Sequence, residues 1–180
     1  MTHFIELLIL TIIIIVGVLL RLIQFIRFKF PGSSDVFFHL VYVRNINEFF
    51  KNIQPYPFFF HIVLRKVKEI FRLSEDKLVK IGIVPDIITG LIAYFILHNY
   101  FETSTSLITL ALFLTTPYLV YQSVFSPRSL GLLLYTFSLL TLIMPFPLNT
   151  ISILFIALTA LTHKLSFQTL FFVIFLHSIL

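Results

Sequence analysis

Cysteine and tryptophan are absent from this 180-residue chain, and glycine occurs only five times. Without cysteine there is no disulfide, no thiolate nucleophile and no cysteine-ligated metal. No glycine-rich phosphate loop, G-x-S-x-G elbow or H-E-x-x-H pair can be found either. Charge is the scarcest commodity. Charged residues make up 12% of the chain, against about a quarter in soluble domains. What fills their place is apolar: 58% of residues are hydrophobic and the mean hydropathy is +1.02. A soluble fold of this length has too little interior to hide so much apolar side chain. The expected solvent is lipid, and the expected fold class is all-α: a polytopic, integral, multi-pass membrane protein forming one domain over 1–180.

A spanning helix needs roughly 20 apolar residues. The first such run covers about 4–26. It is longer than the apolar part of a signal peptide and lacks both a basic start and a small-residue cleavage site, so it reads as a retained helix. Arg21 and Arg27 are placed to snorkel at its far end. The second span is expected at 78–100, entered through Ser74 with Glu75 and Asp76 in its first turn and kinked at Pro85. The nearly uninterrupted apolar stretch 105–180 is broken at "SPRS", "PFPLNT" and "THK", which gives four further spans at about 105–124, 128–144, 149–162 and 164–180. Six spans is the working count.

The segment 33–77 is too charged to span. It divides at "QPYP", 54–57, into two interfacial amphipathic helices. In the second, Phe59, Val63, Val67 and Ile70 recur at helical spacing with Arg65, Lys68, Glu69 and Arg72 between them. Such a helix lies in the headgroup plane with its basic face toward lipid phosphates. This interleaving gives no support to a nucleic-acid partner.

Ten of the thirteen basic residues lie between Arg27 and Lys80, and after Lys80 only Asp86, Glu102, Arg128 and Lys164 carry formal charge. Threading six spans puts Arg128, His163 and Lys164 on the membrane face that holds the 33–77 loop, with Asp86 near it. Ionisable groups beside apolar spans cost a few kcal/mol when unpaired and mark sites or partners. Their shared side suggests an anion-handling cavity. Each also has a plainer reading. Asp35 suits a helix cap after Ser33 and Ser34, and Asp86 a cap beyond the kink. His39, on one helical face with Asp35 and Tyr42, suits an interfacial polar tip, while Arg128 and Lys164 suit headgroup anchors. Asp35 and His39, four apart, can chelate a divalent ion, but two ligands do not make a site. No metal or other cofactor is expected.

An opening apolar helix, a carboxylate at the start of an interfacial helix pair and then short-looped spans resemble the GT-C superfamily of membrane glycosyltransferases. "DVFFHL", 35–40, is similar to the D-x-Y-Y-H-x-R segment of archaeal-type oligosaccharyltransferase subunits. "YPFFFHIVL", 56–64, resembles the YPP-x-x-H segment of polyprenyl-phosphate-sugar-dependent mannosyltransferases. The resemblance covers most of the chain in layout and about 30 residues in motif. It implies that Asp35 is a catalytic base or acceptor-orienting group and that the donor is a sugar on a polyprenyl phosphate. Arg128 and Lys164 would stabilise the phosphate leaving group, and His39, Tyr42, Asp86 and His163 would complete the substrate-binding set. The chain departs from the oligosaccharyltransferase pattern in having no carboxylate after "SPRS" and no W-W-D segment. This favours a lipid-linked monosaccharide transferase. The superfamily has more spans, so this chain is expected to be a fragment or one half of a larger protein, completed by a second polypeptide.

The resemblance puts the first loop outside the cell. The ten Lys and Arg of the Arg27–Lys80 stretch pull the other way, because short cytoplasmic loops are rich in both. The alternative function, a non-enzymatic membrane subunit or transporter fragment whose basic loop docks on anionic lipid or a partner, follows from the second expectation.

Overall fold

The computed structural model describes residues 2–27, 34–45, 58–117, 120 and 126–179. Among the described residues regular structure is entirely helical. The elements are α1 (Thr2–Arg27), α2 (Ser34–Arg44), α3 (Phe59–Phe71), α4 (Glu75–Ile81), α5 (Val84–His98), α6 (Thr103–Thr115), α7 (Pro127–Leu142), α8 (Ile151–Thr162) and α9 (Lys164–Ile179), with a 3-10 turn at Leu148–Thr150 before α8. The expected break at 54–57 and the final part of the expected 105–124 span lie outside the described residues.

Two helical stretches, His3–Ile26 and Glu75–His98, are long and apolar enough to cross a membrane. α1 carries the β-branched run Ile12–Val16, a poor helix former in water. In lipid the backbone must satisfy its own hydrogen bonds, and the helix is the way a single segment does so. The second stretch is α4 and α5 in succession. Pro85 has no N–H and its ring opposes the carbonyl of Ile81. α4 accordingly stops at Ile81, and α5 restarts at Val84 after two turn residues. The expected kink is a break. Ser74 has the extended backbone of a cap, but its side chain makes no capping bond.

The helices beyond Tyr100 are shorter than expected. α6, α7, α8 and α9 contain 13, 16, 12 and 16 residues. At 1.5 Å per residue these measure about 18–24 Å, less than the ~30 Å hydrocarbon thickness.

Packing follows from small and self-satisfied polar residues. α7 packs most extensively on α8, with Phe137 stacked on Phe155 at 5.2 Å. The buried positions include Gly131, Ser138 and Thr141 on α7 and Ser152, Thr159 and Thr162 on α8. Residues of this size let backbones approach where lipid supplies no hydrophobic drive between helices. Their hydroxyls are occupied within the helix: Ser138 donates to Leu134 O at 2.8 Å, Thr159 to Phe155 O at 2.7 Å and Thr162 to Leu158 O at 2.6 Å. Among the glycines, Gly17 marks the closest approach of α1 to α6. A Cβ there would lie 2.9 Å from Leu114 Cβ.

Two apolar clusters result. Tyr94, Leu107, Leu110 and Leu114 join α5 and α6, with Leu10 and Ile13 of α1 against them. Val36, Leu40, Val43, Phe60, Leu64, Leu78 and Val79 join α2, α3 and α4, and Phe25 of α1 and Leu130 of α7 pack on that group. The interfacial helices thus cover one end of the bundle, the loop end. On α3 the buried ridge is Phe60, Leu64 and Val67, one residue away from the 59-63-67-70 ridge expected. Ile70 is 71% exposed. α3 is apolar along two neighbouring ridges; Phe60 and Leu64 are buried, Phe59 and Val63 are half-buried, and Val67 packs on the cluster.

Candidate functional site

Three polar constellations stand out among the described residues, and each involves residues that the sequence analysis names. The first is built by α2 and α3. His39 and His61 are both buried, with His39 Nδ1 3.0 Å from His61 Nε2. One imidazole donates and the other accepts, so both cannot be protonated without breaking the bond. Tyr42 meets the His61 ring edge-on at 5.7 Å, and Phe60 meets His39 at 5.5 Å. Burial among these rings pushes His39 down to about 4. Burial and then the charge on His39 push His61 down to about 3. His39 is therefore a core group rather than an interfacial tip, and it shares its surroundings with Tyr42 as expected. His61 was present in the quoted "YPFFFHIVL" segment but carried no assignment. Its signal was that histidine on a ridge otherwise occupied by Phe60 and Leu64. Asp35 lies in the first turn of α2; its side chain lies outside the described residues.

The second constellation corrects the reading of Arg21. It does not snorkel: it is fully buried, and its Nη1 donates to Leu114 O at 2.6 Å and to Gly17 O at 3.1 Å. Leu114 belongs to the last turn of α6, where carbonyls lack intrahelical partners and the helix dipole is negative. Arg21 caps that end from a neighbouring helix, and Gly17 one turn earlier makes the approach possible. Asp86 also comes here instead of joining Arg128. It is buried in the first turn of α5, with Oδ2 3.8 Å from Arg21 Nη2.

The third lies where α7 begins and α8 turns into α9. Ser126 caps α7, accepting from the Arg128 N–H at 3.2 Å. The corner residue His163 crosses Gly131 so closely that a Cβ on the glycine would lie 2.6 Å from His163 Cβ. His163 Nδ1 accepts from the Ser166 N–H at 3.2 Å and sits 2.9 Å from Ser166 Oγ. Accepting a backbone N–H at Nδ1 leaves the proton of the neutral ring on Nε2. Burial and the Arg128 guanidinium together hold the His163 pKa below the usual range. Arg128, Tyr135, His163, Ser166 and Thr169 line a cavity of about 350 Å³. The structure brings Arg128 and His163 together at one cavity. Lys164 is exposed and does not line this cavity.

The remaining charges make surface links. Glu75 receives both Arg44 and, at 3.4 Å, Lys68, which ties α2 and α3 to the start of α4. At the opposite end of the bundle the Tyr94 hydroxyl donates to Glu6 at 2.6 Å.

No family model, curated protein or solved structure matches this chain.

Proposed function

We propose that the chain is a multi-pass membrane domain acting as a glycosyltransferase module, which moves a sugar from a polyprenyl-phosphate donor to an acceptor hydroxyl at the loop end of the bundle. The observation that carries this reading is the cavity shared by Arg128 and His163. It pairs a fixed cation with a neutral imidazole donor at the membrane-surface end of two helices, the kind of environment in which a lipid phosphate leaving group is stabilised. The first turns of α2 and α7 border one apolar cluster, so Asp35 and Arg128 start from neighbouring helix ends. In this reading Asp35 accepts the acceptor's proton, Arg128 and His163 bind the departing phosphate, and Lys164 adds positive potential from the surface. The buried His39–His61 pair, with Tyr42 against it, holds α2 and thereby Asp35 in place. The 13- to 16-residue helices α6, α7 and α9 cross in this reading with their flanking residues, and α8 with the turn before it.

The test is transfer of a radiolabelled sugar from a polyprenyl phosphate by membranes containing the chain, alone or with the polypeptide that completes it. Asp35→Asn and Arg128→Gln should each abolish transfer while the protein still inserts. Orientation is measured separately. With no native cysteine, Ser33→Cys should react with a membrane-impermeant maleimide in intact cells. Labelling only after lysis would put the first loop in the cytoplasm and end the glycosyltransferase reading.

A second reading, a non-enzymatic subunit docking on anionic lipid, is favoured by the surface of α3. Arg65 and Lys66 bracket Glu69 there, at 2.9 and 3.0 Å, beside exposed Ile70 and Phe71. It expects Asp35→Asn to be silent and charge reversal over 65–72 to weaken association.

A further inference from the structure

Between Arg128 and Lys164 no residue carries formal charge, and midway along that stretch α7 turns back into α8 through residues 143–150. A connecting turn ordinarily presents polar groups to water. This one presents hydrocarbon. Ile143 is 66% exposed and Phe146 80%, with Pro145, Pro147 and Leu148 exposed beside them. The polar groups are occupied inside the turn. Pro145 and Pro147 have no N–H to satisfy. Met144 donates to Thr141 O at 3.1 Å, Leu148 and Asn149 donate to Pro145 O at 2.9 and 3.3 Å, and Thr150 donates to Pro147 O at 3.1 Å. The Thr150 hydroxyl bonds that last carbonyl as well, at 2.6 Å, and Asn149 O accepts from the Ser152 hydroxyl at 2.6 Å. Asn149 Oδ1 is buried.

The neighbouring helix ends away from the 33–77 loop are different. His3 and Glu6 of α1 meet His98 of α5 there, and Glu102 precedes α6. Helix length explains the contrast. Phe25 of α1 and Leu130 of α7 pack on one apolar cluster, so the two helices are level at the loop end. From that level α1 runs about 33 Å to His3, while α7 runs about 18 Å to Leu142. Any tilt of α7 shortens its reach further. In a hydrocarbon layer roughly 30 Å thick that α1 crosses, the turn stops inside the layer, short of the water that the polar ends of α1 and α5 reach. Backbone in hydrocarbon must satisfy its own hydrogen bonds, and the internal bonds of 143–150 serve that need.

We propose that the α7–α8 turn is a lipid-embedded tip, with Ile143, Phe146 and Leu148 laid among the acyl chains of the leaflet opposite the 33–77 loop. Its partner is bilayer hydrocarbon. A polypeptide partner would ordinarily be met with polar groups as well as apolar ones, and this tip has spent its own on itself. The leaflet is drawn in around the tip, as happens where an apolar segment is shorter than the layer it sits in. The inference rests on the multi-pass reading above and is independent of sugar transfer.

The experiment uses the full chain in phosphatidylcholine nanodiscs, spin-labelled at one introduced cysteine in a background that has none. Collisions with oxygen, which concentrates in hydrocarbon, and with a water-soluble nickel chelate report the depth of each label. Ile143→Cys and Phe146→Cys test the tip at exposed positions whose replacement leaves the packing intact. Ile15→Cys, midway along α1, and Glu102→Cys, at the polar part of the same end, are exposed references for lipid and water. Labels at 143 and 146 should behave as the label at 15 does, with nickel collisions about tenfold or more rarer than at 102. Nickel contact at 146 equal to that at 102 would put the turn in water; the inference would fall while the multi-pass reading, tested at 15, stood. Rare collisions with both reagents at 143 and 146 would mean that a polypeptide covers the tip, and would overturn the inference too. Frequent nickel contact at 15 would take α1 out of the bilayer and end the multi-pass reading together with the inference.

Discussion

Acidification should undock α2 from α3, and the His39–His61 pair sets both the direction and the size of the effect. Docked, the two imidazoles titrate at about 4 and about 3; separated and hydrated they would return to about 6.5. The docked state binds fewer protons than the separated one, so its stability is fully present above pH 6.5 and falls as pH drops toward 4. Each histidine contributes about 1.4 kcal/mol per pH unit in that window. At pH 5 this is about 2 kcal/mol for each ring and about 4 kcal/mol for the pair, or close to three powers of ten in the docking equilibrium. Nothing comparable acts on the Arg44–Glu75 link, where each partner favours the charged form of the other. The cysteine-free background makes the measurement direct. Spin labels on Val41→Cys and Lys66→Cys, both exposed positions, report the α2–α3 distance by pulsed electron resonance in nanodiscs. A single short distance at pH 8 should give way to a longer population between pH 6 and 5, and His39→Phe/His61→Leu should abolish the change. A distance distribution identical at pH 8 and pH 5 would refute the reasoning, as would a pH response that survives in the double variant.

Three further outcomes follow from packing. Arg21→Met should remove the guanidinium beside buried Asp86 and deprive the α6 carbonyl of its donor, costing about 3–5 kcal/mol; Arg21→Met/Asp86→Asn should recover part of that loss in thermal unfolding in detergent, and an equal or larger loss in the double variant would show that the two side chains are not coupled. Gly17→Ala should destabilise by about 1–3 kcal/mol through overpacking against Leu114, with Leu114→Ala relieving the added strain in the same assay. Arg72 closes α3 with a left-handed backbone, φ 50°, its N–H bonded to Lys68 O; Arg72→Gly should therefore slow amide exchange over the last turn of α3 by an amount equivalent to about 1 kcal/mol.

The helices were readable where one physical rule governs a whole segment. The apolar lengths of 4–26 and of the stretch around 78–100 match a bilayer's thickness, and the two stretches long and apolar enough to cross a membrane fall there. The break near Pro85 was readable because the proline acts on a residue four positions back, whatever surrounds it. The segments after Tyr100 were harder to read because apolar composition alone does not say where a helix stops: α6 ends at Thr115, where Thr116 leaves the helical conformation inside an unbroken apolar stretch. The site shows the same division. Which face Arg128 and His163 share is a matter of counting crossings, and both line one cavity. Partners that depend on which ridge of a helix turns inward could not be counted. His61 and Val63 are two positions apart on α3, and sequence spacing serves a 60-64-67 ridge as well as the 59-63-67 ridge chosen. The choice is made by α2, which offers His39 as a buried hydrogen-bond partner that makes burying a histidine tolerable. Arg21 is the same case in the opposite sense. Its position near the end of an apolar helix suits snorkelling, and only the arrival of the α6 terminus beside Gly17 turns it inward. A polar residue in so apolar a chain thus reveals that it needs a partner, while the identity of the partner belongs to the tertiary fold.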